Sequence, residues 1–218
     1  MATTVDLRAP DLDLGPVEAA LRDGALVVVP TDTVYGLACA ADHVGAYARL
    51  CALKERDPGQ PTAVMLTSED ALWEVLVVPR ILRQVTKALV PGPVTVIVPN
   101  MGGTWRHLCG DDPDRIGVRV PKLDDPLRPG IAALAGVQMP LACTSANRHG
   151  GPEVVEVVDL DPVVLAGVDI VLDAGALPAS EASTVIDISR WPVGPPEILR
   201  AGALDLSDLV GTFARLPH

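Results

Sequence analysis

The chain has 218 residues, 49% of them hydrophobic, and 28 acidic against 17 basic side chains give it a formal charge of −11; that is apolar material enough for one ordinary domain, on a surface that repels phosphate backbones and anionic lipids except where cations gather locally. Three Trp, two Tyr and one Phe offer no stacking platform for single-stranded nucleic acid and leave the core to Val, Leu, Ile and Ala. Cys39, Cys51, Cys109 and Cys143 form no C-x-x-C pair, the start MATTVDLRAPDLD has no basic or apolar signal region, and no apolar run nears the ~20 residues of a membrane helix, so reduced thiols in a soluble, cytoplasmic protein are expected.

In chain order, a helix is predicted over residues 16–22, and a short β-branched strand over 25–29 is stopped by Pro30. A helical pattern at 43–54 leads to a strand at 63–66. Helical patterns at 69–77 and 80–90 precede strands at 94–98 and 116–120, and another helical pattern at 126–135 precedes a strand at 141–144. A short helix at 162–166 and strands at 170–172 and 184–188 complete the series. The 21 prolines and 19 glycines are spread as punctuation, which predicts one compact domain rather than two joined by a linker. Alternating strands and helices predict an α/β fold, and runs such as VTVIVP and IGVRVP leave strand direction open, so a mixed sheet is expected.

Polar clusters interrupt this pattern just after strands, where α/β folds place their ligand sites. PTDTVYGL, residues 30–37, puts Thr31, Asp32, Thr33 and Tyr35 at a strand end, where hydroxyls can grip a small polar ligand or simply close a turn. LKERD, residues 53–57, ends a helical pattern. Lys54 and Arg56 would diverge by roughly 200° on a continuing helix, so they can meet one anion only if the helix has stopped. A Lys and an Arg so placed suit a polyphosphate, and capping the helix C-terminus is the alternative. TSANRHGG, residues 144–151, combines the Ser145 hydroxyl and Asn147 amide with Gly150 and Gly151. It is neither a Walker A loop nor G-x-G-x-x-G, and Ser145 lacks a nucleophile elbow. Arg119 in IGVRVP, Ser183 and Thr184 in STVID, and Arg200 in EILRAG are polar groups in apolar strands that need partners, structural or otherwise. His107 and Cys109 form only an H-x-C, and Asp111, Asp112 and Asp114 lack a calcium-loop series, so no protein-bound metal is expected.

Taken in order, PTDTVYGL, the K-x-R of LKERD, PGPVTVIVP, IGVRVP, TSAN, STVID and ILRAG closely resemble the YrdC-like family of threonylcarbamoyl-AMP synthases over roughly residues 14–203. The resemblance implies a twisted mixed sheet with flanking helices around a concave site, in a single domain over 1–218 with short peripheral ends at about 1–13 and 204–218. The chain ends at His218 and resembles the family's short form. The activity it implies is synthesis of threonylcarbamoyl-AMP and pyrophosphate from L-threonine, bicarbonate and ATP, with magnesium arriving on the ATP. A downstream transferase then modifies tRNA, so contact with tRNA is indirect. By the family's pattern Lys54 and Arg56 neutralise the triphosphate, Ser145, Asn147 and Arg200 complete the ATP site, and Thr33, Arg119 and Ser183 bind threonine. Three places depart from that pattern: Met65 stands where a histidine is usual, Thr144 where a proline is, and LDAGALPASEASTV, residues 172–185, replaces the usual glycine-rich approach to S-T-V. The alternatives are a YrdC-like paralogue acting on another carbamoyl or amino-acid substrate, and a double-stranded RNA-binding module.

Overall fold

The computed structural model describes residues 2–57, 59–125, 129–148, 150–178 and 180–213. In chain order the elements are β1 (Thr3–Asp6), α1 (Gly15–Arg22), β2 (Val27–Val29), β3 (Gly36–Ala40), α2 (Val44–Leu53), β4 (Ala63–Met65), α3 (Glu69–Val75), α4 (Arg80–Lys87), β5 (Val94–Pro99), β6 (Arg115–Arg119), α5 (Pro129–Ala132), β7 (Leu141–Ser145), α6 (Pro162–Gly167), β8 (Ile170–Asp173), β9 (Thr184–Asp187), β10 (Glu197–Arg200) and α7 (Leu206–Phe213). The strands form one sheet in the order β1-β8-β2-β3-β7-β4-β6-β5-β9-β10. It is mixed, as expected: β2 runs antiparallel to β3 and parallel to β8, while β4 runs parallel to β6 and antiparallel to β7.

Local chemistry explains most boundaries. The His43 ring accepts a hydrogen bond from Ala46 N at 3.0 Å and starts α2, and the Ser68 hydroxyl accepts one from Ala71 N at 3.2 Å and starts α3. The helix predicted over 69–77 stops at Val75 because Leu76 is already extended. For the helix predicted over 126–135, residues 126–128 lie outside the described residues; the rest is α5 followed by a 3-10 turn at Ala133–Gly136.

Three strands escape the sequence pattern. In β3, GLACA has no β-branched residue, yet all five residues are buried between β2 and β7, so burial supplies what propensity lacks. β1 and β10 are the two edges of the sheet, largely exposed and four residues each, too short to show a strand period. No helix among the described residues is long and apolar enough to cross a membrane.

The turn after α2 is clamped to the loop before β6. Asp111 N donates to Gly59 O at 3.2 Å and Thr62 N to Leu108 O at 2.8 Å. Gly110 allows this approach with φ of +63°; a Cβ there would overlap the Gly59 carbonyl oxygen and lie 2.8 Å from Pro61 N. Gly110→Ala is therefore expected to cost about 2 kcal/mol in urea unfolding, an effect of backbone conformation that Gly102→Ala, at an ordinary φ nearby, does not share.

Candidate functional site

Side chains alternate across a strand, so each strand of a half-buried sheet gives one set to the core and the other to the opposite face. In β6, Ile116 and Val118 are buried in the core, whereas Arg115, Gly117 and Arg119 face a cavity of about 260 Å³. Met65 from β4, Thr95 from β5, Cys143 and Ser145 from β7, and Val185 from β9 line the same space. Ser183, just ahead of β9, and Arg200 of β10 close one side of it, and Arg56 and Thr62 another.

The K-x-R pair converges because the helix does stop. Lys54 is the C-cap of α2, Glu55 takes a left-handed φ of 52°, and the chain reverses. Arg56 N donates to Cys51 O at 3.0 Å and Glu55 N to Ala52 O at 3.1 Å, a Schellman turn with glutamate where glycine is usual. Both cations are thereby aimed at the end of β7. Lys54 Nζ donates to Ser145 O at 2.5 Å and to Asn147 Oδ1 at 3.2 Å. Arg56 Nη1 donates to Thr144 Oγ1 at 2.9 Å and Nη2 to Pro61 O at 2.8 Å. Threonine at 144 thus supplies Arg56 with a side-chain acceptor that a proline there would lack. Asn147 Nδ2 donates to Gly151 O at 2.6 Å, and its Oδ1 accepts from Ser145 Oγ at 2.6 Å, which folds the polar loop back on itself.

Arg119 has a different setting. Its Nη2 donates to Asp32 Oδ1 at 2.7 Å, Thr33 Oγ1 at 2.7 Å and Thr31 Oγ1 at 3.1 Å. The Asp32 side chain is 6% exposed and that of Arg119 is 11% exposed, so this is a nearly dry ion pair. Arg200 donates through Nη2 to Ser183 O at 2.7 Å, and the Ser183 and Thr95 hydroxyls lie 2.9 Å apart. Arg115 is held by Asp112 at 2.7 Å and Asp187 at 2.5 Å.

The cations in and behind the cavity wall thus fall into two groups. Arg115 and Arg119 are neutralised by carboxylates, whereas Lys54, Arg56 and Arg200 donate to carbonyls, hydroxyls and an amide. Burial pushes Lys54 down to about 8, Arg56 adds to the shift, and Glu153 opposes it. Arg200 is also lowered, by burial first; Glu153 opposes the shift, and Arg119 and Arg56 add to it. Gathered positive charge without a carboxylate hydrogen-bonded to it, in a chain of net charge −11, suits an anion. Among the described residues no group of three or more His, Cys, Asp or Glu side chains is arranged to hold a metal.

Of the residues singled out in the sequence, Arg56, Arg119, Ser145, Ser183 and Arg200 line the cavity. Lys54, 5% exposed, and Asn147 stand behind Ser145, and Thr33 stands behind Arg119. Sequence reading missed Thr95 and the pairing of Asp32 with Arg119. A lone hydroxyl in VTVIVP was the signal for Thr95, since a polar group in an apolar strand needs a partner.

With this geometry in hand, comparisons with known proteins are informative. The Sua5/YciO/YrdC family model, described as "Telomere recombination", matches residues 19–202. A threonylcarbamoyl-AMP synthase of Pyrococcus abyssi is 31% identical over 191 residues, covering 87% of this chain but 54% of its own length. One from Rattus norvegicus is 35% identical over 211 residues, covering 91% of this chain and 71% of its own length. Among solved structures, P. abyssi Sua5 complexed with L-threonine superposes with a TM-score of 0.79 at 27% identity, covering 99% of this chain and 62% of that one. The chain therefore spans a little over half of the archaeal relative.

Proposed function

Because the chain belongs to the Sua5/YciO/YrdC family, we propose that it is an L-threonylcarbamoyladenylate synthase, joining L-threonine, bicarbonate and ATP into threonylcarbamoyl-AMP with release of pyrophosphate and water. The observation that carries this reading is that Arg56 and Arg200 line a cavity in an acidic protein and are bonded to neutral acceptors, with Lys54 held behind Ser145 and likewise bonded to a carbonyl and an amide. The names of the relatives, and the threonine bound in one of them, support the substrate.

The chemistry fits these residues. Threonine's amine must lose a proton before its lone pair can add to the carbon of bicarbonate or of carbon dioxide derived from it. A carbamate oxygen then attacks the α-phosphorus, and the bond to pyrophosphate breaks. Negative charge crowds at that step, and fixed cations lower its cost. Lys54 and Arg56 neutralise the triphosphate, Ser145 and Asn147 hold the nucleotide, and Arg200 joins it from β10. Thr33, Arg119 and Ser183 bind threonine. Asp32 fixes Arg119 through one edge of the guanidinium, orienting it toward the amino acid's carboxylate. No protein nucleophile is needed, since the two substrates react directly. ATP brings magnesium, and the product passes to a transferase acting on tRNA.

Pyrophosphate release from ATP and bicarbonate, with L-threonine, with L-serine and with neither, tests the reading. Threonine-dependent release is the expected result. ATP binding without threonine-dependent release would instead favour a paralogue with another substrate, a reading that Met65 in the cavity wall supports.

Lys54 also sets a pH dependence. Its folded-state value is lowered from 10.5 to about 8, so the cation is present below that pH and lost above it. ATP affinity is expected to weaken about fivefold between about pH 8 and about pH 9, as read by calorimetry. Lys54→Arg, charged throughout that range, is expected to remove the trend.

A further inference from the structure

The cavity has a second end. Arg115 and Arg119 face it from the same side of β6, four residues and so roughly 13 Å apart. Arg119 stands at the end assigned to threonine. At the other end Cys109 and Asp112 join Arg115 in the wall, both carried by the loop that is clamped to the turn after α2. The side of the cavity runs there from Arg56, whose Nη2 donates to Pro61 O, through Thr62, whose N donates to Leu108 O beside Cys109. The floor between is Ala63, Gly117 and Ile97, with no polar side-chain atom: Ile97 pairs with Gly117, and a Cβ on Gly117 would rest 3.5 Å from that of Ala63. A narrow apolar floor of this kind suits the face of a planar ring.

Arg115 is unlike Arg56 and Arg200 in what it can still offer. Its Nε donates to Asp112 Oδ2 at 2.7 Å and its Nη1 to Asp187 Oδ2 at 2.5 Å, so two carboxylates match its charge and fix the plane of the guanidinium. A cation so neutralised has little pull on a phosphate. Its Nη2 has no hydrogen-bond partner among the described residues, and Asp112 Oδ1 accepts from Asp114 N at 3.1 Å with a lone pair to spare. A held donor therefore stands beside a held acceptor in the cavity wall. That pair complements the edge of adenine, where the 6-amino group donates next to a ring nitrogen that accepts. A base with oxygen at position 6 would turn a lone pair toward the carboxylate instead.

We propose that Arg115 and Asp112 select the base of the nucleotide, Arg115 Nη2 donating to a ring nitrogen next to the 6-amino group of adenine and Asp112 accepting from that amino group. This rests on the reading of the cavity as an ATP site, and the experiment keeps the two apart. Calorimetry measures the binding of ATP, of inosine triphosphate, which has oxygen in place of the 6-amino group, and of inorganic tripolyphosphate, which has no base. The proteins are the wild type, Asp112→Asn and Arg115→Lys, each shown to be folded by urea unfolding. The wild type is expected to bind ATP roughly 30-fold more tightly than inosine triphosphate, a hydrogen bond having been exchanged for a repulsion. Asp112→Asn can turn its amide N–H toward the oxygen, and is expected to bring that ratio below about threefold by weakening ATP and tightening inosine triphosphate. Arg115→Lys keeps the charge between the carboxylates but loses the planar fork, and is expected to weaken ATP about tenfold more than it weakens tripolyphosphate. A wild type that binds ATP and inosine triphosphate alike, or an ATP preference of the same size in all three proteins, overturns the proposal and leaves Asp112 and Arg115 as ties between the loop, β6 and β9. Tripolyphosphate bound as tightly as ATP overturns it too, since no base is then held. If none of the three ligands binds the wild type, the nucleotide reading itself falls.

Discussion

Arg56→Ala lowers threonine-dependent pyrophosphate release by about 10²–10³-fold, the size of effect seen when a preorganised donor to developing charge is removed. Arg56 is fixed by Thr144 Oγ1 and Pro61 O, which lie on either side of its guanidinium, so it need not reorganise when charge builds at the α-phosphorus. Arg56→Lys recovers little, because a single ammonium cannot span both acceptors and also meet a phosphate. Lys54→Met brings a comparable loss with the opposite effect on stability. The folded protein lowers the affinity of Lys54 for its proton to about 8. At about pH 7, burying the charged form is therefore a burden that the neutral variant does not carry. The expected pattern is low turnover with unchanged or raised thermal stability for Lys54→Met, and low turnover with modestly reduced stability for Arg56→Ala. Wild-type turnover in either folded variant removes that residue from the mechanism.

Asp32→Ala destabilises the protein by about 3–5 kcal/mol, because it leaves the Arg119 guanidinium nearly buried without its counter-ion. Urea unfolding reads the loss. A second substitution locates its cause: Asp32→Ala combined with Arg119→Met recovers most of the stability, since the stranded charge is gone, yet threonine-dependent activity stays low. A double variant no more stable than Asp32→Ala would show that the carboxylate acts through other contacts, such as the one it accepts from Lys122 N at 3.0 Å.

Seven strands could be read from the sequence because β-branched runs such as VVV, VTVIVP and TVID advertise burial. GLACA gives no such sign, and its place between β2 and β7 is decided by pairing across more than a hundred residues. The edges β1 and β10 are exposed and only four residues long, too short to show a strand period. At the site, spacing posed the right question about Lys54 and Arg56, namely whether the helix had ended. The answer lay in the left-handed Glu55, a residue type that does not announce that conformation. The resemblance pointed to residues that converge, whereas partnerships such as Asp32 with Arg119 and Thr144 with Arg56 join segments 87 and 88 positions apart. No local pattern encodes contacts at that separation.

Arg200 stands on an edge strand. β10 is exposed along its whole length, is joined to the sheet through β9, and slips register between Ile198 and Arg200. Such a strand can open locally at a fraction of the free energy needed to unfold the sheet. Opening it releases the grip of Arg200 on the Ser183 carbonyl and unmakes one side of the cavity while Lys54, Arg56 and Arg119 stay fixed on interior elements. The cavity wall is therefore rigid on the side that holds Lys54, Arg56 and Arg119 and yielding on the side that holds Arg200.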